Sequence, residues 1–359
     1  MITSSANSTC PFLRTRGELP FRFFKFIINW VKRTRILKPT PRNIEIAASV
    51  IKRGGLVAFP TETVYGLGAD ATNEDAVRKI FEVKRRPLYD PVIVHVSSFD
   101  MLKEVVKKVP EDLDKLSRFM PGPLTLILMR GERIPPLVSA GLPTVAVRMP
   151  ASEIALSLIE RSGVPIAAPS ANLFGRPSST KPEHVLHDLG GRIDIILDGG
   201  ETRIGIESTV LDITKRPPEI LRPGGITKEE LEEVLGEVVL KERAGRPKSP
   251  GQLKKHYSPR AKLLLFESYE RMEEEIKKLG GKIGIMVPIE DAGRFEGRFI
   301  VKSPGSFSDL EGYGRRLFST MRELDEEGVD YILAIAPPRR GMGLSIFDRL
   351  FKASGSEIK

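Results

Sequence analysis

Cysteine is almost absent from the 359-residue sequence, in which Cys10 is the only one. A single cysteine excludes a disulfide within the chain and the Cys-rich segments of a structural zinc module. Proteins of a reducing compartment typically use cysteine in this way, so we expect a cytoplasmic protein. The sequence also lacks a glycine-lysine phosphate loop, an HExxH motif, a Ser-His-Asp pattern and paired metal ligands. Any nucleotide site must therefore be of another type.

The sequence contains no apolar run long enough to span a membrane. The strongest candidate extends from Phe23 to Trp30, is interrupted by Lys25, and is followed by no small-residue cleavage site. Two interpretations remain: a helix lying on a membrane surface, or an ill-ordered extension that includes upstream codons wrongly assigned to the reading frame. We favour the second interpretation and expect no membrane partner.

The positive charge is concentrated at the start of the chain. The formal net charge is +9, and residues 1–42 contain nine basic residues against one acidic residue, Glu18. The remaining sequence is therefore nearly neutral. Its net charge does not favour a broad nucleic-acid surface on the folded body, although local basic clusters can still exist.

The pattern of apolar residues predicts two α/β domains. With 40% hydrophobic residues, a chain of this length can bury two cores. We predict an ill-ordered extension over 1–42, a first domain over 43–236 and a smaller Rossmann-like domain over 261–359. Between the domains, residues 237–260 include a stretch rich in Pro, Gly and basic residues, which is typical of a linker. The glycines of the smaller domain lack a dinucleotide fingerprint, so its shape does not imply a nucleotide cofactor.

Strand-like and helix-like segments alternate through the first domain. An amphipathic helix is predicted over 43–53, a strand over 56–60, a glycine-rich loop to residue 69, and a helix capped by Thr72. Further strands are predicted over 91–96, 124–129, 144–149, 165–171, 193–198 and 208–213, and helices near 99–109, 111–119, 152–162 and 181–189. This alternation predicts a mixed, twisted sheet with helices packed on it.

Two polar clusters follow the first predicted strand. The segment PTETVYGLGA places hydroxyls and two glycines directly after it, either as a ligand loop or as an ordinary connection. The segment KRRPLYDP places Lys84, Arg85 and Arg86 at a helix C-terminus. The helix dipole alone favours cations there, but three basic groups beside a proline turn could also bind a polyphosphate.

Two later strands carry polar residues among apolar ones. Arg148 lies within TVAVRM and needs an anionic partner, which could be a buried Asp or Glu or the carboxylate of a ligand. His95 alternates with apolar residues in PVIVHV, where a structural role is the more common one. Further polar turns occur at APSAN, GIESTV and LRPGG. Together these clusters predict a polar concavity at strand ends that binds an anion, without specifying a reaction.

Seven segments, taken in order, resemble those of the YrdC-like, threonylcarbamoyl-AMP synthase family. They are FPTETVYGLGADA, the KxRP turn, PGPLT, TVAVRMP, PIAAPSAN, LDGGETRIGIESTV and LRPGG. The resemblance covers roughly residues 43 to 236, and KHYSP with the second domain resembles the long, two-domain form. It implies a strongly twisted sheet with a deep concave cavity, plus a smaller Rossmann-like domain.

The resemblance also implies site residues. Threonine would be held by residues matching Thr63, His95, Arg148, Ala168 and Ser208. ATP would contact residues matching Lys84, Arg86, Asp90, Thr144, Ser170, Ser178 and Arg222, and the linker would add His256 and Tyr257 as a lid. Among these, Lys84 and Arg86 are the catalytic candidates.

The implied reaction makes threonylcarbamoyl-adenylate from L-threonine, bicarbonate or CO₂, and ATP, with Mg²⁺ accompanying the nucleotide. The product would pass to the complex that modifies a tRNA adenosine next to the anticodon, which leaves open whether this chain itself binds tRNA. The family commonly has Asn where this sequence has Asp90. A carboxylate there would repel phosphate unless a cation bridges the two, so Asp90 is a candidate to help hold Mg²⁺.

Two other functions compete with this one. A non-enzymatic RNA-binding module would use a basic concave face, which the nearly neutral body does not favour. An O-carbamoyl transferase of the hydrogenase-maturation type shares this domain but carries Cys-rich zinc segments, for which one cysteine is insufficient.

Overall fold

The computed structural model describes residues 33–241 and 247–359. Within these ranges the chain forms two α/β domains joined by a segment without regular structure, residues 247–261. The apolar stretch from Phe23 to Trp30 and residues 242–246 of the predicted linker lie outside the described residues. No helix in the described ranges has the length and apolar content needed to cross a membrane.

The described part of the N-terminal domain is built on one mixed sheet of eleven strands. The strands are Arg35–Leu37 (β1), Val57–Pro60 (β2), Tyr65–Asp70 (β3), Ile93–His95 (β4), Leu124–Met129 (β5), Thr144–Arg148 (β6), Ile166–Ala167 (β7), Ile195–Leu197 (β8), Thr209–Asp212 (β9), Glu219–Arg222 (β10) and Val239–Leu240 (β11). Their order across the sheet is β1-β8-β2-β3-β7-β4-β6-β5-β9-β10-β11. The pair β4 and β6 is parallel, whereas β3 runs antiparallel to β2 and β7. The predicted mixed sheet is confirmed.

Helices cover this sheet because alternate strand residues are apolar on both faces. The helices are Pro41–Lys52 (α1), Glu74–Lys84 (α2), Phe99–Val105 (α3), Leu113–Leu116 (α4), Glu153–Ser162 (α5), Pro182–Leu189 (α6) and Lys228–Leu235 (α7), with a 3₁₀ helix at Ser117–Phe119. On strand β2, Val57 and Phe59 belong to the core that also contains α1 and α5. Ala58, between them, belongs to the core that contains α2.

Four local predictions are corrected by the structure. Residues 33–42 are not outside the fold, because β1 pairs with β8 and helix α1 already begins at Pro41. The predicted loop over 60–69 is a tight turn followed by β3, which completes a hairpin with β2. The cap of α2 is Asn73, since the Thr72 hydroxyl donates to Asp70 instead. The predicted linker begins too early, because β11 pairs with β10.

The C-terminal domain has a four-stranded parallel sheet in its described residues. Its strands are Lys262–Phe266 (β12), Ile283–Met286 (β13), Ile300–Lys302 (β14) and Tyr331–Ile335 (β15), in the order β12-β15-β13-β14. Its helices are Tyr269–Ile276 (α8), Leu310–Glu326 (α9) and Met342–Ala353 (α10), with a 3₁₀ helix at Ile289–Arg294. The predicted smaller, Rossmann-like α/β domain is confirmed. One of its cores extends into the N-terminal domain, where it includes Val64 and Ile206.

Candidate active site

A cavity lies at one edge of the large sheet. Strands β4, β6 and β10 end at this edge and β9 begins there, because β4 is parallel to β6, and β6, β5, β9 and β10 pair in that order. Strand ends at the edge of an α/β sheet are a common location for binding sites, since the loops that follow can carry polar side chains.

The structure brings most of the predicted site residues to this cavity. The lining includes Thr63, Arg86, His95, Arg148, Ala168, Ser170, Ser208, Arg222, His256 and Tyr257. Three others do not line it but bond to residues that do: Lys84, Asp90 and Ser178. Thr144 begins strand β6, four residues before Arg148, and does not line the cavity.

Arg148 is fixed by three hydrogen bonds at the end of β6. Its Nη2 donates to Glu62 Oε1 at 2.6 Å, its Nη1 to Thr63 Oγ1 at 2.9 Å and its Nε to the carbonyl of Gly122 at 3.2 Å. The sequence left open whether the anionic partner is a buried acid or a ligand, and the structure shows that Glu62 is one partner. A guanidinium has five N–H donors, so two remain for a ligand.

Arg86 forms a buried ion pair with Asp90. Their side chains are 2% and 0% exposed, and Nη2 lies 2.9 Å from Oδ2. Arg86 also donates to the carbonyls of Asp90 and Pro91. Burial raises the pKa of Asp90, and the charge of Arg86 opposes that rise. The cation beside Asp90 is therefore Arg86, which is held so that it faces the cavity.

Lys84 lies behind the cavity rather than in its lining. Its ammonium donates to the carbonyls of Ser170 and Asn172, which fixes the turn after β7. Burial, reinforced by the charge of Arg86, holds the pKa of Lys84 well below its usual range. In this arrangement Lys84 positions the turn that carries Ser170.

Arg222, at the end of β10, is tied to the start of β9. Its Nη2 donates to the carbonyl of Ser208 at 2.8 Å and lies 3.1 Å from the Ser208 hydroxyl. The same hydroxyl is 2.7 Å from that of Thr125. The strand pairing thus places an arginine and a hydroxyl side by side at the cavity edge.

His95 is a neutral residue in this site. Burial, reinforced by the nearby charge of Arg148, lowers its pKa to about 3. Its Nδ1 is buried and has no hydrogen-bond partner among the described residues. A neutral ring with one unused nitrogen can bind a polar substrate group, but it is a weak base.

The segment 247–258 lies between the cavity and the C-terminal domain. Pro250 accepts a hydrogen bond from Arg222 Nη1, and Pro250, Gly251, His256 and Tyr257 all contribute to the lining. The His256 ring packs edge-on against Phe174, and the Tyr257 ring stacks on Phe318 of α9. This segment therefore covers the cavity and contacts both domains.

Sequence reasoning gave no role to three residues at or behind the cavity. Glu62 and Glu207 are buried acids that pair with Arg148 and Arg349. Each acid directly precedes a predicted substrate-binding residue, Thr63 or Ser208, and this adjacency is the feature of the sequence that could have pointed to them. Arg349 is an arginine on the apolar face of α10, three residues after Ile346 and one before Leu350. A charge at a core position of an amphipathic helix indicates a buried partner.

Two family models match the chain. One, described as "Telomere recombination" for the Sua5, YciO and YrdC group, matches residues 49–224. The other, described as "Threonylcarbamoyl-AMP synthase, C-terminal domain", matches residues 226–355. The threonylcarbamoyl-AMP synthase of Pyrococcus abyssi is 46% identical over 88% of this chain and 95% of its own length. The chain belongs to the threonylcarbamoyl-AMP synthase family.

Further relatives agree with this membership. The threonylcarbamoyl-AMP synthase of Bacillus subtilis is 47% identical over 87% of the chain and 93% of its own length. The solved structure of Pyrococcus abyssi Sua5 complexed with L-threonine matches with a TM-score of 0.83 and 44% identity, over 91% of this chain and 98% of that one. The predicted family, two-part fold, reaction and enzyme class, a nucleotidyltransferase, are confirmed.

Proposed function

We propose that this cavity binds L-threonine and ATP side by side and joins them, through bicarbonate or CO₂, into threonylcarbamoyl-adenylate. The observation that carries the proposal is the convergence of three buried arginines, Arg86, Arg148 and Arg222, on one cavity in a chain of this family. Fixed guanidinium groups bind carboxylates and phosphates through paired donors, and both substrates carry such groups. The solved relative with L-threonine supports the threonine half of the site.

Threonine binds on the Arg148 side. The two unused N–H groups of Arg148 receive its carboxylate, while Thr63 and Ser208 offer hydroxyls. The neutral ring of His95 accepts a hydrogen bond from the amine or hydroxyl through its unused Nδ1. Ala168 supplies a small wall where a larger side chain would displace the substrate.

The reaction then proceeds in two steps. The amine nitrogen bonds to the carbon of CO₂ and loses a proton, which gives a carbamate. With bicarbonate the same N–C bond forms while a C–O bond breaks and water leaves. A carbamate oxygen attacks the α-phosphorus of ATP, the bond to the β-phosphate oxygen breaks, and pyrophosphate leaves. The protein contributes placement and fixed positive charge, with Arg86 and Arg222 beside the phosphates and Lys84 holding the turn that carries Ser170.

We infer that Mg²⁺ enters as the ATP complex and neutralises phosphate charge. Asp90 and Glu207, the carboxylates next to Arg86 and Arg222, are each paired with an arginine. No group of three or more His, Cys, Asp or Glu in the described ranges is placed to hold a metal. These residues fit a metal held mainly by phosphates and water rather than by a protein cage. We further propose a cytoplasmic location and transfer of the product to the tRNA-modifying complex.

Incorporation of radiolabelled bicarbonate tests this function. The full chain is incubated with ATP and Mg²⁺, with and without L-threonine, and the adenylate product is separated. We expect label only when threonine is present. The Arg148→Ala variant should lose at least about tenfold in threonine-dependent rate, and Arg148→Lys should retain part of it, because lysine keeps the charge but not the paired donors. Threonine-independent label, or none from folded protein that binds ATP, would contradict the proposal.

A further inference from the structure

Arg349 of the C-terminal domain contacts residues that line the cavity. Arg349, on helix α10, is fully buried, and its Nε lies 2.8 Å from Glu207 Oε2. Its Nη1 donates to the carbonyl of Pro223 at 2.7 Å. Its guanidinium carbon lies 5.4 Å from the centre of the Tyr257 ring. One guanidinium therefore contacts three segments, which carry Ser208, Arg222 and the linker pair His256–Tyr257.

Glu207 connects Arg349 to the cavity. It lines the cavity, and its Oε1 accepts a hydrogen bond from the Ser178 hydroxyl at 2.5 Å, so that the carboxylate joins Ser178 to Arg349. Burial alone would raise the pKa of Glu207, but the charges of Arg349 and Arg222 outweigh burial and lower it to about 2. Glu207 is thus an anion beside the arginines that would bind phosphate.

An anion at this position needs a neutralising partner. A buried carboxylate without a partner is strongly destabilising, and it would also repel the phosphates of ATP across a medium of low dielectric constant. Arg222 contributes part of this neutralising charge, but its donors are directed at Ser208 and Pro250, and the nucleotide would compete for its charge. Arg349 pairs with Glu207 and also with Asp348, whose Oδ2 lies 3.0 Å from its Nη1. Asp348 has a second cationic partner in Lys352, so the charge of Arg349 can still neutralise Glu207.

We propose that Arg349 is a positioning residue for the nucleotide side of the active site: it neutralises Glu207 and orders Ser178 and Tyr257, so that the ATP subsite is complete only when the C-terminal domain is seated. This inference rests on the proposed function for the identity of the ligand. It gives the C-terminal domain a direct part in ATP binding through one side chain. In the described ranges, the hydrogen bonds of Arg349 go to Glu207, Pro223 and Asp348 rather than to Arg148 or His95, so it meets the threonine side only through Glu207, the neighbour of Ser208.

Binding of the non-cleavable analogue α,β-methylene-ATP with Mg²⁺, measured by calorimetry on the full chain, tests the proposal without requiring turnover. We expect Arg349→Gln to weaken binding by about tenfold or more, because Glu207 is left unpaired. Arg349→Lys keeps the charge and should retain most of the affinity even if it loses part of the order. Affinity for L-threonine should change less than about twofold in both variants.

A second substitution separates charge neutralisation from packing. In the double variant Arg349→Gln with Glu207→Gln, the unpaired anion is gone, so analogue affinity should recover by at least about threefold over Arg349→Gln alone. A purely structural role for Arg349 predicts no recovery, and that result would overturn the proposal.

Arg322→Gln is the matched control. Arg322, on α9, is also buried, pairs with Asp188 of the N-terminal domain at 2.9 Å and donates to the carbonyl of Pro177, next to Ser178. It does not line the cavity, and its acidic partner is Asp188 rather than Glu207, so it tests packing near Ser178 without loss of the Glu207 pair. We expect Arg322→Gln to lower the midpoint temperature of thermal unfolding, as Arg349→Gln does, but to leave the affinity for the ATP analogue unchanged. Equal weakening by both variants would contradict a specific role for Arg349. Because the readout is binding, a wild-type chain that binds the analogue but makes no labelled product would reject the proposed function and leave this inference standing.

Discussion

Buried ion pairs hold the arginines of the cavity in place. Arg86 pairs with Asp90 and Arg148 with Glu62, with all four side chains at most 4% exposed. Removing charged groups from water is costly, so such pairs add little net stability, but breaking one leaves an uncompensated charge. Their benefit here is orientation, because each guanidinium is fixed before a substrate arrives. Asp90 has a drawback as well, since its charge lies close to the proposed phosphate position.

Asp90→Asn tests that drawback. Arg86 would keep its bonds to the carbonyls of Asp90 and Pro91 while its charge became fully available to the nucleotide. We expect ATP to bind about three- to tenfold more tightly, whereas Arg86→Gln should weaken binding by a similar factor or more. Calorimetric titration with α,β-methylene-ATP and Mg²⁺ measures both. Weaker binding by Asp90→Asn, most of all if it appears only with Mg²⁺ present, would instead favour a metal-holding role for Asp90.

The segment 247–258 shows how a stretch without regular structure can still have one defined conformation. Gly251 has a φ of +79°, and a Cβ added there would lie 2.5 Å from the Tyr257 hydroxyl. Tyr257 itself has a φ of +61°. Glycine adopts such angles without steric cost, whereas other residues do so at a cost of order 1 kcal/mol. The segment covers the cavity, so we infer that it must open to admit substrates and close before the chemistry.

Gly251→Ala should prevent this segment from seating over the cavity. We expect at least about tenfold loss of threonine-dependent product formation, together with faster tryptic cleavage at the exposed residues Lys254 and Lys255. Gly236→Ala is the control, because Gly236 has a φ of +77° but no atom within 4 Å of the added Cβ. It imposes the same backbone strain away from the cavity. Equal loss of product in both variants would show that strain, rather than closure, causes the effect.

The two domains share one core in the whole molecule. Val64 and Ile206 of the N-terminal domain and Tyr257 of the linker join a cluster that includes Phe318 and Leu350 of the C-terminal domain. Ion pairs cross the same boundary, among them Arg349 with Glu207 and Arg322 with Asp188. Apolar and charged contacts together couple the two folds, since neither domain can expose this surface to water without cost.

Calorimetric unfolding tests this coupling. Ile80→Ala removes a fully buried side chain from the N-terminal core, and Met272→Ala removes one from the outer core of the C-terminal domain. Each should cost about 2–5 kcal/mol. We expect one transition in the native chain, shifted downward as a whole by either substitution. Two transitions, each responding to only one of the substitutions, would show that the domains unfold independently.

The local pattern of apolar and helix-capping residues predicted much of the fold. The apolar alternation of LTLILM and TVAVRM identified β5 and β6, and strong cap residues such as Ser152 and Thr227 follow the expected helix chemistry. The order of family motifs was sufficient for the reaction and for most of the cavity lining. These features depend on residues close together in the chain, where periodicity and spacing are informative.

Contacts between distant residues required the folded chain. The segment that begins at Tyr65 was predicted to be a loop because of its glycines. It is strand β3, because β2 and β7 supply its hydrogen-bond partners. Lys84 does not line the cavity, because its ammonium donates hydrogen bonds to the carbonyls of Ser170 and Asn172. The partner of Arg148 and the link from Arg349 to Glu207 likewise join residues that lie 86 and 142 positions apart. Sequence pattern reports which residues must be buried, whereas the pairing of buried charges depends on which strands and helices meet in space.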